Sequence, residues 1–142
     1  MGRTILAVFA GLALGFVGIM VFEMIGHSIY PPPSVSDSAT YKVYFDSSPI
    51  GALLLVIVAH SLGAFAGGVT AIRVDKGKKL AGIIVGIFFV LATIADLSNM
   101  LMMNVTPPLW FVVLDPLLVI ISVFALYKIK IASAEENKTE KQ

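Results

Sequence analysis

Cysteine is absent from this chain, which excludes a disulfide framework, a thiolate metal site and a cysteine nucleophile and leaves the redox compartment open. Charge is scarce as well. Asp, Glu, Lys and Arg make up 13% of the residues and hydrophobic side chains 58%, with a mean hydropathy of +0.93. A soluble domain carries about 25% charged residues and covers its surface with them. Here the charges fall in a few short patches between long uncharged runs, a pattern that lipid tolerates and water does not. Histidine occurs only at His27 and His60. The basic residues form no patch beyond what membrane orientation accounts for, so no nucleic-acid partner is expected.

A helix rising 1.5 Å per residue needs about 20 apolar residues to cross roughly 30 Å of hydrocarbon. Four runs meet that length, at about 5–30, 49–72, 80–103 and 108–127. The reading is an all-α membrane protein, a four-helix transmembrane bundle over residues 1–132 with the lipid bilayer as its solvent. An outer loop at 31–48 and a polar tail at 133–142, expected to be disordered, complete it. Pro31, Pro32 and Pro33 stop the first span. Ser47 and Ser48 are placed to cap a second span that holds Pro49 in its first turn, and Pro107 and Pro108 open the fourth. The first run exceeds the roughly 7–15-residue apolar region of a signal peptide and lacks a distinct cleavage site, so it reads as a span.

Orientation follows from the cations. Arg3 precedes the first span, Arg73, Lys76, Lys78 and Lys79 surround the second loop, and Lys128, Lys130, Lys138 and Lys141 follow the fourth span. Only Lys42 lies in the first loop and none in the third. Positive charge marks the cytoplasmic side, so both termini are expected there. Tyr30 and Trp110 then fall at the outer interface and Tyr127 at the inner one, as aromatic anchors do. Small residues recur at helical spacing, at Ala7, Gly11 and Gly15, at Gly63, Gly67 and Ala71, and at Gly82 and Gly86, and such rows let helices approach closely in lipid.

Against this background FEMIGHSIYPPP, residues 22–33, places Glu23 and His27 on one face of the first span just before it ends. Glu23 lies seven residues before Tyr30, Asp96 seven before Met103 and Asp115 seven after Pro108, so each falls about 10 Å inside the outer end of its helix. His27 stands about one turn above that level and His60 about one turn below it, with Asn99 and Ser61 adding neutral hydrogen-bonding capacity. His60 shares a stripe with Gly63, Gly67 and Ala71, which turns it toward the bundle. An ionised Asp near the middle of a span costs roughly 2.5–3.5 kcal/mol, and no Lys or Arg lies inside any span. Three carboxylates with two imidazoles carry −3 when both histidines are neutral and −1 when both are protonated. Protons, a bound cation or water must supply the balance. Asp115 has a second reading, because Pro116 cannot donate to Val112 and should bend the fourth span, leaving Asp115 to cap the half-helix beyond. ATYKVYF, residues 39–45, is amphipathic, and Tyr41, Val43, Tyr44 and Phe45 suit an interfacial anchor or a cover over the bundle mouth.

FEMIGHSIYPPP, with PIGALLLVIVAHSLGAFAGGVTA (49–71) and NMLMMNVTPPLWF (99–111), resembles a family of small four-pass bacterial inner-membrane proteins without an assigned function. The Gly-His-x-x-Tyr-Pro-Pro-Pro stretch at 26–33 is the most specific part of the resemblance, which spans most of residues 1–127. It implies four spans and a bacterial inner membrane, and it implies no chemistry.

Three functions compete. The first is a small transporter or channel-like protein that binds protons or a cation through Glu23, His27, His60, Asp96, Asp115 and Asn99. A divalent metal ion is one candidate occupant, with His27, His60, Glu23 and Asp96 as ligands of suitable type but no compact motif behind them. The second is an intramembrane hydrolase, for which Ser28 and Ser61 adjoin the histidines in sequence but diverge from them by about 100° on a helix. The third is a structural or accessory subunit, a homo-oligomer or part of a larger membrane complex.

Overall fold

The computed structural model describes residues 2–31, 38–76 and 79–139. Five helices follow one another: α1 (Gly2–Ile29), α2 (Ser38–Ser47), α3 (Ile50–Val74), α4 (Lys79–Met102) and α5 (Leu109–Thr139). Among the described residues four helices are long and apolar enough to cross a membrane, namely α1, α3, α4 and the part of α5 from Leu109 to Leu126. No strand occurs among them. Pro32, Pro33, Lys78, residues 140–142 and the side chains of Tyr41 and Tyr127 lie outside the described residues.

Several local expectations are corrected. Ser47 and Ser48 do not cap α3; their hydroxyls donate back to Val43 and Tyr44 carbonyls, because α2 ends there with orphan acceptors to satisfy, and Pro49 is the N-cap residue of α3. Pro108 opens α5 as expected, its carbonyl accepting from the amides of Phe111 and Val112. Pro116 does not divide α5, which stays helical across it. The helical backbone also runs through 133–139, where composition predicts disorder. Ala132, Ala134, Glu135, Glu136 and Lys138 are good helix formers, and they extend a helix already nucleated upstream.

The bundle is held by the crossing of α1 and α3. Ala7, Gly11 and Gly15 are the buried residues of α1, and they lie against Gly63, Gly67 and Ala71. A Cβ on Gly67 would come within 2.6 Å of the Gly11 carbonyl oxygen, and a Cβ on Gly11 within 2.7 Å of the Gly67 carbonyl. Only glycine permits backbone to meet backbone in this way. On the next side, Phe89 of α4 fills the space over Gly15, and its ring packs with Phe16 at 5.4 Å between centroids.

The apolar core is in two parts. One cluster gathers Ala64, Phe89 and Val119 with Ala7, Ala71 and Val85. The other gathers Ile57, Leu97 and Phe111 with Leu53, Met100 and Val105. On each of three helices one polar residue falls between the two clusters at helical spacing: His60 between Ile57 and Ala64, Thr93 between Phe89 and Leu97, Asp115 between Phe111 and Val119. A polar layer therefore crosses the core. Thr93 satisfies itself by donating to the Phe89 carbonyl, which leaves His60 and Asp115 to one another.

At the opposite end, where the basic residues collect, Arg3 Nε donates to the Val74 carbonyl at 2.8 Å and ties the start of α1 to the end of α3. Asp75 follows as the C-cap of α3, 1% exposed, and neither of its carboxylate oxygens has a hydrogen-bond partner.

Candidate functional site

His60 Nδ1 lies 2.9 Å from Asp115 Oδ2 and 3.0 Å from Oδ1. Where the carboxylate is ionised it can only accept, and Nδ1 then carries the proton and donates. Nε2 is thereby left for whatever stands on the other side of the ring. Asp115, 1% exposed, sits behind the histidine and is spent on it. The capping role considered for Asp115 is thus not taken up: its hydrogen bonds run across to α3, because α5 continues unbroken and offers it no free helix start.

His60 also lines a cavity of about 340 Å³, of which Asp115 is not a lining residue. The cavity lies among α1, α3 and α4 with α2 above it. Glu23 and His27 enter from α1, His60 from α3 and Asp96 from α4. Asp96 is exposed and lines the same cavity from α4. Aromatic and aliphatic side chains make up the rest of the lining, among them Phe22, Tyr30, Tyr44, Phe45, Leu53 and Met100. No Lys or Arg lines it among the described residues.

Of the six residues expected in a polar site, four therefore meet in one cavity and Asp115 supports one of them from behind. Asn99 does not join: it is exposed and outside the cavity lining. Ser61 is half-buried and outside the cavity lining, its buried hydroxyl oxygen without a hydrogen-bond partner.

Tyr30 and α2 were less evident. Tyr30, expected as an interfacial anchor, is in the cavity wall, and its hydroxyl occupies the space where a Cβ on Gly51 would stand. The signal is in the spacing, since Glu23, Gly26, His27 and Tyr30 follow i, i+3, i+4, i+7 and share one face. Tyr44 and Phe45 of α2 line the cavity, with Phe45 also packed on the Leu53 and Ile57 cluster, while Val43 is outside the lining at 66% exposure. Phe22 has no signal beyond its position beside Glu23.

The geometry limits the chemistry. Among the described residues no group of three or more His, Asp or Glu side chains is placed to hold a metal ion, so the set of His27, His60, Glu23 and Asp96 lines a space without closing on a point. No seryl–histidine pair is assembled among them: Ser28 donates to the Ile25 carbonyl, Ser61 has no partner, and His60 is bonded to Asp115. The site can attract positive charge, accept hydrogen bonds and shelter a small apolar group.

No protein-family model matches the chain, and neither a curated protein nor a solved structure shows significant similarity to it.

Proposed function

We propose that this is a small integral membrane protein that binds a cation, in exchange with protons, in the cavity among α1, α3 and α4, as the outward-facing site of a transporter would. The observation that carries the reading is that Glu23, His27, His60 and Asp96 line one cavity with no Lys or Arg among the described residues of its lining. Carboxylates inside a bundle are costly unless something positive neutralises them, and among the described lining residues only the two imidazoles can offset part of that charge. The acids can take up protons, or release them to make room for another cation.

The membrane assignment agrees. Arg3, Arg73, Lys76 and Lys79 gather at one end of the bundle, and the cavity is at the other. By the positive-inside rule the basic end faces the cytoplasm together with the N-terminus, and the cavity opens outward. The resemblance of the 26–33 stretch adds a bacterial inner membrane.

Calorimetry on purified protein in a neutral detergent tests the function. Sodium, potassium, magnesium, zinc and benzyltrimethylammonium ions are titrated in turn into the wild type and into the Glu23→Gln, Asp96→Asn double variant. Saturable binding of at least one cation, lost in the double variant, is expected. Absence of binding across the whole set, or equal binding in both proteins, contradicts the reading.

A further inference from the structure

Given the cation-binding role proposed above, on which this step rests, we infer that the ligand is a small free organic ammonium carrying an apolar group. Three observations point there. The cavity, at about 340 Å³, is the size of a small-molecule pocket, far larger than the space a bare ion needs. Bare ions are held by ligand atoms converging at about 2.0–2.6 Å, and no three acidic or imidazole side chains among the described residues are so placed. The lining is divided, with Glu23 and Asp96 supplying negative charge and Phe22, Tyr30, Tyr44 and Phe45 supplying aromatic surface.

Aromatic rings and carboxylates around one space suit an ammonium group, which is drawn to ring faces as well as to acids. Tyr44 and Phe45 meet edge to face, with centroids 5.7 Å apart and planes at 81°, so α2 presents a corner of two rings. Their attachment to α2 makes this helix the selective cover of the site. His60 Nε2 adds one hydrogen-bond acceptor when the ring is neutral, its other nitrogen being held by Asp115.

The same ammonium chemistry occurs in the headgroups of zwitterionic lipids. A lipid headgroup also brings a phosphate, which Glu23 and Asp96 repel and for which the lining holds no Lys or Arg. The chemistry therefore favours the free cation over the lipid.

Equilibrium dialysis of the full chain in maltoside detergent decides the matter, with benzyltrimethylammonium as the probe. Neopentylbenzene, its uncharged isostere, and phosphocholine serve as competitors, and potassium binding is followed in parallel. The expected result is saturable probe binding, at least tenfold weaker competition by either competitor than by unlabelled probe, and loss of about 2- to 30-fold in probe affinity on Tyr44→Leu with potassium binding unchanged. Phe22→Leu gives the same comparison if Tyr44→Leu does not fold. Potassium or another inorganic ion binding without the probe overturns this inference and leaves the cation-binding role standing. Competition by phosphocholine equal to the probe, or by the neutral isostere, overturns it as well. Failure of every cation to bind overturns both.

Discussion

Asp115 on α5 holds His60 on α3 through both carboxylate oxygens, at 2.9 and 3.0 Å from Nδ1, in the seam between the two apolar clusters of the core. The pair does two things at once. It satisfies a carboxylate that is 1% exposed, and it commits Nδ1, leaving Nε2 as the ring nitrogen not engaged by Asp115.

Removing one partner leaves the other buried without its hydrogen bonds. Asp115→Ala is expected to destabilise the protein by about 1–3 kcal/mol. In a double-mutant cycle with His60→Ala, a coupling energy of about 0.5–3 kcal/mol is expected, measured by reversible unfolding in detergent. Strict additivity of the two substitutions would show that the contact contributes nothing.

The close crossing of α1 and α3 makes a contrast between glycines. Gly67→Ala drives a methyl into the Gly11 carbonyl and should cost about 1–3 kcal/mol, because backbone cannot move aside as a side chain can. Gly18→Ala, whose Cβ would meet the Gly63 Cα at 3.6 Å, is expected to change stability by less than about 0.5 kcal/mol, or to raise it through helix propensity. Thermal unfolding of both variants checks the pair, and equal effects would contradict the crossing.

Gly51 connects packing to the site. A methyl there displaces the Tyr30 hydroxyl and with it part of the cavity wall, so Gly51→Ala should weaken cation binding several-fold. Tyr30→Phe, which removes the oxygen nearest the new methyl, should restore part of the affinity in the double variant. Dialysis with a labelled cation reports both, and an unaltered affinity in Gly51→Ala would show that Tyr30 does not shape the site.

Asp75 is a buried carboxylate without a hydrogen-bond partner at the end of α3, where the helix dipole is also unfavourable to negative charge. Asp75→Asn removes the charge and keeps the shape. It is expected to raise the unfolding temperature, by the equivalent of about 1 kcal/mol. A lowered temperature would mean that the charge itself stabilises the basic end.

The spans could be read from the sequence because hydrocarbon thickness and helix rise together set their length, and because charge interrupts the runs only at their ends. Glu23 with His27, and His60 with its glycine stripe, were legible for a related reason: helical spacing alone fixes which residues share a face. What spacing does not fix is which faces meet. The hydrogen bonds of Asp115 to His60 depend on the rotation of α5 against α3, and Pro116 beside it suggested a cap instead. Asn99 fell outside for the same reason, since its place beside Asp96 does not say how α4 is turned toward the cavity. Tyr30 against Gly51, and Tyr44 and Phe45 in the cavity lining, rest on contacts between segments that no periodicity within one segment reveals.

Ligand-induced thermal stabilisation tests the central claim, that the acids of this cavity await a cation, most directly. A ligand that binds the folded state raises stability as RT ln(1 + [L]/Kd), about 2.7 kcal/mol at a hundredfold excess over Kd. The unfolding temperature of the wild type should climb with increasing benzyltrimethylammonium and that of the Glu23→Gln, Asp96→Asn variant should not. Parallel curves for the two proteins, or a wild type indifferent to that ion and to every inorganic cation at equal ionic strength, would contradict it.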